Sequence, residues 1–174
     1  CIHLEERRDL AIDLIHKLDA VVFDCDGVLW AGNEAIPGAG ALIECLRAAG
    51  KQVSFVTNNA TKTLDQFCAK FKHLQLGPVS KGSELMSSGV AAARYLATLD
   101  LAAGSVVYIV GEAGLHATVR QLLPGIQTLG LEDATKTFDD LKAELPLDPV
   151  RRISAVLVSY DASFNYYKLA KASM

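Results

Sequence analysis

The feature of the sequence that most constrains its fold is an apolar segment that ends in two acidic residues. Residues 20–23 are all apolar and run directly into Asp24, Cys25, Asp26 and Gly27. A short segment that is apolar on both faces is typical of a central strand in a parallel sheet covered by helices. Two carboxylates at the end of such a strand repel each other, which costs free energy. The pattern therefore indicates that a cation or a reaction uses this pair.

Residues 1–100 alternate three times between a strand pattern and a helix pattern. The predicted strands cover residues 20–23, 51–56 and 79–84, and the helices that follow them cover residues 40–49, 63–74 and 88–99. Such units have right-handed crossovers and build a parallel sheet.

The pattern restarts near residue 101. Strands are predicted over residues 105–110 and 153–159, and helices over residues 114–123 and 166–174. The sequence therefore predicts an α/β fold in two parts, residues 1–100 and residues 101–174.

Two polar clusters follow the first two predicted strands. Asp24 and Asp26 come after the first strand, and Thr57, Asn58 and Asn59 come after the second. Ligands of parallel α/β sheets bind beyond the carboxyl ends of the strands. We therefore expect both clusters to lie at one edge of the sheet and to form a binding site there.

The residue types at this edge suit phosphoryl transfer with Mg²⁺. Mg²⁺ binds hard oxygen ligands, often one or two carboxylates together with phosphate oxygens, so Asp24 and Asp26 are predicted metal ligands. Asp24 can then stay ionised and attack phosphorus, whereas Asp26 can protonate the leaving alcohol and later deprotonate water. The Thr57 hydroxyl and nearby backbone amides can hold phosphate oxygens. The alternatives are an acid pair that caps a turn and, for Asn59 or Thr61, an ordinary Asx turn or helix cap.

Composition argues against several other classes of function. The net charge of -3 offers no basic stripe to nucleic acid or to an anionic membrane. No apolar run approaches the roughly 18 residues of a membrane span. The 4 cysteines form no C-x-x-C pair, which favours free thiols in a reducing compartment. Cys25 is a poor nucleophile because flanking carboxylates raise a thiol pKa.

Two strings of residues resemble the first two motifs of the haloacid dehalogenase-like hydrolases. They are Phe23-Asp24-Cys25-Asp26-Gly27-Val28-Leu29-Trp30 and Phe55-Val56-Thr57-Asn58-Asn59. Further matches run through nearly the whole chain, among them Lys70-Phe71 and the segment from Tyr160-Asp161 through Phe164 to Lys168-Leu169. These later matches resemble the group of 4-nitrophenylphosphatases, phosphoglycolate phosphatases and pyridoxal phosphatases.

The resemblance implies a Rossmann-like core interrupted by an inserted α/β cap domain. Residues 1–100 would then be the N-terminal part of the core, and residues 101–174 part of the cap. Family members are Mg²⁺-dependent phosphomonoesterases of small phosphorylated metabolites. They are typically cytosolic, and several are homodimers through the cap.

The resemblance also implies a role for each site residue. Asp24 matches the nucleophile and a Mg²⁺ ligand. Asp26 matches the acid/base and contacts the metal through its backbone carbonyl. Thr57 matches the phosphate-binding hydroxyl, and Asn58 and Asn59 match the adjoining substrate loop.

Two departures from the family pattern bear on the substrate preference of the cap and on the activity that we expect. Ser163 stands where members often carry a His that reaches the substrate. The family's lysine motif and distal acidic motif lie after the cap, and no later stretch of the chain matches them. Lys168 and Lys171 are predicted to be solvated surface charges, and Asp139 with Asp140 an acidic helix N-terminus. We therefore expect the C-terminal part of the core to be absent and activity to be impaired, because one lost electrostatic stabiliser typically costs about a hundred- to a thousandfold in rate.

Two other functions are compatible with parts of the pattern. The first is a truncated, non-catalytic relative that binds phosphometabolites or dimerises through its cap. The second is a phospho-accepting receiver domain, which also uses acids at strand ends with Mg²⁺. A receiver's acceptor normally lies on a later strand than its acid pair, whereas Asp24 and Asp26 flank one residue after the first strand.

Overall fold

The computed structural model describes residues 12–144 and 153–174, and residues 12–17 are helical. The strands are β1 (Ala20–Asp24), β2 (Trp30–Ala31), β3 (Glu34–Ala35), β4 (Gln52–Thr57), β5 (Leu85–Ser87), β6 (Val106–Val110), β7 (Gln127–Leu129) and β8 (Ile153–Val158). The helices are α1 (Ala39–Ala48), α2 (Leu64–His73), α3 (Ser88–Ala97), α4 (Ala113–Leu122), α5 (Phe138–Glu144) and α6 (Tyr166–Ser173), with a 3₁₀ turn at Glu132–Thr135.

The predicted α/β class with parallel strand pairing is confirmed. One three-stranded sheet has the order β1-β4-β5, and β1 runs parallel to β4. A second has the order β7-β6-β8, and β6 is parallel to both neighbours. The chain divides into two compact units, one of Cys1–Val56 with Cys68–Leu85 and one of Thr57–Phe67 with Met86–Met174.

An aromatic cluster forms the core of the first unit. The rings of Trp30 and Phe71 meet edge to face with centroids 5.1 Å apart, and those of Phe55 and Phe71 lie 4.7 Å apart. Helix α1 adds the buried side chains of Ile43 and Leu46. The Leu42 side chain is 43% exposed because it lies outside the stripe that faces the core.

Strand β1 lies at an edge of its sheet among the described strands, whereas the sequence predicted a central, covered strand. Its side chains alternate between exposed and half-buried, and Val22 is 62% exposed. A run of apolar residues indicates which side chains gain from burial, but only the packing of other segments decides whether they are covered.

The third predicted strand is displaced along the chain. Residues 79–84 were expected to be extended, but the strand is β5 at Leu85–Ser87. Gly82 has a φ of 77°, and the Glu84 N–H donates to the Ser80 carbonyl at 3.1 Å, so the preceding segment turns. The Glu84 carboxylate accepts from the Ser80 N–H at 2.7 Å and from Arg47 at 3.0 Å, which stabilises this turn.

Helix packing on β6 forms the core of the second unit. The buried cluster comprises Ala60, Ala93, Leu96, Val107, Ile109, Leu115 and Val119. Helix α3 belongs to this unit because it packs against α4. The division at residue 100 into core and cap stays a prediction, because compactness alone does not identify an inserted domain.

Lys168 and Lys171 of α6 form ion pairs with buried carboxylates, so the prediction that they are solvated surface charges is wrong. Lys168 Nζ lies 2.6 Å from Asp161 Oδ2, and the two side chains are 1% and 3% exposed. Lys171 Nζ lies 3.3 Å from Asp133 Oδ2 and 3.1 Å from the Tyr167 hydroxyl. Because α6 packs against β6 and the 3₁₀ turn, this face of the helix is removed from water.

The acidic helix N-terminus predicted at Asp139 and Asp140 is confirmed. Asp139 and Asp140 lie in the first turn of α5. The Asp140 carboxylate accepts hydrogen bonds from both the N–H and the hydroxyl of Thr137 at 2.7 Å. The pair therefore stabilises the start of a helix.

His116 is expected to make the protein less stable in acid. It is fully buried in α4, and neither ring nitrogen has a hydrogen-bond partner within the described residues. Burial, followed by the nearby Arg120 charge, lowers its pKa from 6.5 to about 4. The unfolded chain therefore binds the proton more readily, and stability should fall as the pH drops from 6.5 to 4. The loss reaches about 3 kcal/mol below pH 4, at about 1.4 kcal/mol per tenfold change in proton affinity.

Urea unfolding at pH 7.5 and 4.5 measures this effect. His116→Gln should flatten the difference between the two pH values. His73→Gln, at an exposed position of α2, should keep the wild-type difference. An unchanged pH dependence in His116→Gln would show that other groups cause the acid sensitivity.

Candidate functional site

The carboxyl end of β1 presents the predicted acids on either side of a buried residue. Asp24 ends β1 and Asp26 follows the strand; both are exposed, whereas Cys25 is fully buried. In the register of the sheet Asp24 pairs with Val56, and Thr57 is the next and last residue of β4. The ends of β1 and β4 are therefore aligned, as expected for a parallel pair.

The electrostatics of Cys25 show that both carboxylates lie near its thiol. Its pKa is raised to about 12, first by burial and then by the charges of Asp24 and Asp26, while Lys70 acts in the opposite direction. The predicted rise is confirmed, although burial contributes more than the flanking acids. Since the thiolate is the reactive form, Cys25 is inert at neutral pH.

The tight turn after Asp26 uses glycine for its backbone conformation. Gly27 has a φ of 85°, which L side chains rarely adopt, and its N–H donates to the Trp30 carbonyl at 2.7 Å. The N–H groups of Leu29 and Trp30 donate to the Cys25 carbonyl. The turn folds Trp30 back toward Asp26.

Trp30 contacts Asp26 directly, which reasoning from the sequence missed. The indole Nε1–H donates to Asp26 Oδ1 at 2.7 Å. The Lys70 ammonium lies 4.3 Å from the centre of the Trp30 ring. Trp30 and Lys70 both fall within strings that resemble the family, but only the folded chain shows that they meet.

The Thr57–Asn59 segment forms a turn held by its own side chains. Thr57 Oγ1 accepts from the Asn59 N–H at 3.1 Å, and Asn59 Oδ1 accepts from the Thr61 N–H at 2.9 Å and hydroxyl at 2.7 Å. The Asn58 carbonyl accepts from the Ser88 hydroxyl at 2.7 Å, and the Asn58 side chain is exposed. Asn59 therefore makes the Asx turn that was the alternative to a binding role.

The following helix has a separate cap. The Thr63 hydroxyl accepts from the Gln66 N–H at 3.3 Å, and the Gln66 side chain accepts from the Thr63 N–H at 2.8 Å. This reciprocal capping box means that neither Asn59 nor Thr61 caps α2.

Gly114 of α4 lets the helix approach this turn, and adding a methyl group there should destabilise the fold. A Cβ at position 114 would lie 2.2 Å from the Thr61 carbonyl oxygen, which is backbone and cannot rotate away. We expect Gly114→Ala to cost about 2–3 kcal/mol in urea unfolding, as overpacking does. Gly125→Ala is the control, because its Cβ would meet its nearest atoms at 3.9 Å. Equal stability of the two variants would contradict the close approach at Gly114.

The donor set at the end of β1 suits a hard cation. Asp24 and Asp26 offer exposed carboxylate oxygens, the ligand type that Mg²⁺ prefers. Across residues 12–144 and 153–174 no group of 3 or more His, Cys, Asp or Glu side chains is placed to hold a metal.

No helix within the described residues is long and apolar enough to cross a membrane.

The chain belongs to the haloacid dehalogenase-like hydrolases, whose family model matches residues 21–122. It is 38% identical over 159 residues to phosphoglycolate phosphatase 1A, chloroplastic, of Arabidopsis thaliana, covering 91% of this chain and 43% of that one. It is 34% identical over 176 residues to human glycerol-3-phosphate phosphatase, covering 99% and 54%. The crystal structure of a glycerol phosphate phosphatase from Mycobacterium tuberculosis in complex with magnesium matches with a TM-score of 0.63 at 26% identity, covering 92% and 41%. The chain thus spans about half the length of the curated relatives it matches.

Proposed function

We propose that the chain carries the nucleophile end of a Mg²⁺-dependent phosphatase that hydrolyses small phosphomonoesters. The observation that carries this proposal is the pair of exposed carboxylates, Asp24 and Asp26, held around buried Cys25 at the carboxyl end of β1. Membership of a hydrolase family supports it, as do relatives named as phosphatases.

The two acids divide the chemistry between them. An oxygen of Asp24 attacks phosphorus, the bond from phosphorus to the ester oxygen breaks, and Asp26 gives the leaving oxygen its proton. Asp26 then takes a proton from water, which attacks the phosphoryl group and releases Asp24 and inorganic phosphate. Each step balances without any further reactant.

Oxygens of Asp24 and Asp26 would hold the metal ion. Bound Mg²⁺ offsets the repulsion between the two acids and the phosphate, as opposite charge does for crowded carboxylates. The two residues themselves keep the roles of nucleophile and proton carrier.

The phosphate-binding role belongs to the turn at the end of β4. The Thr57 hydroxyl oxygen lies at the end of β4 and accepts from the Asn59 N–H, which holds it at the turn. Asn58 adds an exposed side-chain amide. Asn59 shapes the turn, because its side chain accepts from Thr61 and its N–H donates to Thr57 Oγ1.

We propose that residues 101–174 contribute to the choice of substrate and to the formation of a homodimer. The segment at Ser163 is well held, because Ala162 N–H donates to Glu112 and Ser163 N–H donates to Asp161, both at 2.8 Å.

Val158 of β8 is 67% exposed, and we propose that a second copy of the chain covers it in a homodimer. Light scattering should show a dimer that Val158→Lys dissociates.

For the compartment we propose the cytoplasm, because Cys25, Cys45 and Cys68 carry thiols rather than disulfides.

Phosphate release and phosphoryl transfer test the function. The chain is incubated with 4-nitrophenyl phosphate, phosphoglycolate or glycerol 3-phosphate, with Mg²⁺ or with a chelator. We expect Mg²⁺-dependent phosphate release and a phosphoryl group on the peptide that contains Asp24, found by mass spectrometry after acid quenching. The family resemblance and the share of its relatives that the chain spans predict a low rate. Binding of these esters with no transfer to Asp24 would favour the non-catalytic alternative.

A further inference from the structure

The only tryptophan of the sequence lies against the proposed acid/base. Trp30 is fully buried, and its indole N–H donates to Asp26 Oδ1 at 2.7 Å. A buried indole N–H requires an acceptor, but that requirement alone does not explain why the acceptor is an exposed carboxylate. The contact therefore connects the hydrophobic core of the first unit to the reacting group.

The indole is held on several sides, so its N–H points in a defined direction. The Phe71 ring packs edge to face at 5.1 Å, and the Lys70 ammonium lies 4.3 Å from the ring centre. The Gly27 N–H donates to the Trp30 carbonyl, and the Trp30 N–H donates to the Cys25 carbonyl. A cation over an indole face attracts it electrostatically, which adds to the packing.

The Asp26 side chain, unlike the buried Trp30 ring, lies at the surface. It is exposed and lies beyond the last residue of β1, so the strand does not restrict its side chain. An Asp side chain has several staggered rotamers, and they point its carboxylate in different directions. The hydrogen bond from the rigid indole N–H favours the rotamer that brings Asp26 Oδ1 within 2.7 Å of Nε1.

We propose that Trp30 is a positioning residue that holds the Asp26 carboxylate in one rotamer through its indole N–H, with Lys70 fixing the ring. The kinetic consequence rests on the proposed function. With the carboxylate held in place, proton transfer to the leaving oxygen needs no search of rotamers, and a misplaced acid loses that advantage.

Nuclear magnetic resonance of the full chain tests the contact without relying on activity. One indole N–H resonance is expected, because Trp30 is the only tryptophan. In Asp26→Ala that resonance should move upfield and exchange faster with water. In Trp30→Phe, the three-bond couplings of Asp26 should move away from those of the wild-type rotamer. An unchanged indole resonance in Asp26→Ala, or unchanged Asp26 couplings in Trp30→Phe, would overturn the proposal.

Two lysine variants separate the roles of the ring and its cation. Lys70→Met keeps the aliphatic stem and removes the charge over the ring, and it should partly average the Asp26 couplings. Lys72→Met, on the exposed face of the same helix, should leave them unchanged. Equal effects of the two variants would remove Lys70 from the proposal.

Leaving-group dependence distinguishes positioning from a structural role. Trp30→Phe should lower kcat about tenfold to a hundredfold on glycerol 3-phosphate, whose alkoxide needs a proton, with KM little changed. On 4-nitrophenyl phosphate, whose leaving group departs readily as an anion, the loss should be below about threefold. Equal losses on both esters would mean that Trp30 acts only through stability. If wild type hydrolyses neither ester, the proposed function fails, and the resonance experiments still decide the contact.

Discussion

Asp24→Asn is expected to lower Mg²⁺-dependent phosphate release at least about a thousandfold. Asparagine keeps the size of the side chain but removes the oxygen nucleophile, so the covalent route is closed. Asp24 is exposed at the end of β1, and the change should therefore leave the fold intact. The measurement is phosphate release under saturating ester, together with the mass of the peptide that contains residue 24.

Asp19→Asn is the matched control for this prediction. Asp19 is exposed and directly precedes β1, so the same change in charge occurs at the opposite end of the same strand. It should retain wild-type release, and both variants should unfold at similar urea concentrations. Undiminished release by folded Asp24→Asn would exclude Asp24 as the nucleophile.

Lys168→Met is expected to cost about 3–5 kcal/mol in free energy of unfolding. The variant leaves the Asp161 carboxylate buried without its cation, and breaking a buried pair from one side is strongly destabilising. Asp161 also accepts from the Ser163 N–H, so the loop at Ser163 should loosen as well. Urea unfolding at neutral pH measures the cost, and amide hydrogen exchange measures the loop.

Two further variants test whether the cost of Lys168→Met comes from the burial of its ion pair. Lys142→Met removes an ammonium from a pair with Asp139 whose side chains are 60% and 89% exposed, and it should cost less than about 1 kcal/mol. Asp161→Asn combined with Lys168→Met removes both charges and should recover at least about 1 kcal/mol relative to Lys168→Met alone. Equal costs for Lys142→Met and Lys168→Met would contradict the burial of the α6 pair.

Much of the chain could be predicted because the relevant signals are local. The apolar run before Asp24 marks a strand, and β1 and β4 have their predicted parallel order. Acidic residues before a helix pattern predicted the first turn of α5. The chemistry of carboxylates and hydroxyls is likewise a property of residue type, which is why Asp24, Asp26 and Thr57 could be proposed as site residues without coordinates.

Other features could not be predicted because they depend on segments that are distant in sequence. Lys168 has a long charged side chain, so the sequence favoured exposure, whereas packing of α6 against β6 buries it. The displaced strand β5 depends on a turn closed by Glu84 and Arg47, which lie 37 positions apart. Val22 is apolar and lies in a strand, so the sequence favoured burial. Its side chain is nevertheless exposed, because β1 lies at an edge of its sheet among the described strands.

The order of the residues is enough to show that two acids follow an apolar strand and that a polar triplet follows the next. It also sets the chemistry that the chain can offer, since residue type sets charge, nucleophilicity and metal preference. The surroundings of the acids follow from the folded chain: a buried thiol between them, an indole that donates to Asp26 and an ammonium over that indole. The difference lies in how far apart in the sequence the interacting residues are. Strand and helix patterns arise between neighbours in the chain, but Lys70 reaches Trp30 only after α2 packs on the sheet and brings together side chains that the sequence separates.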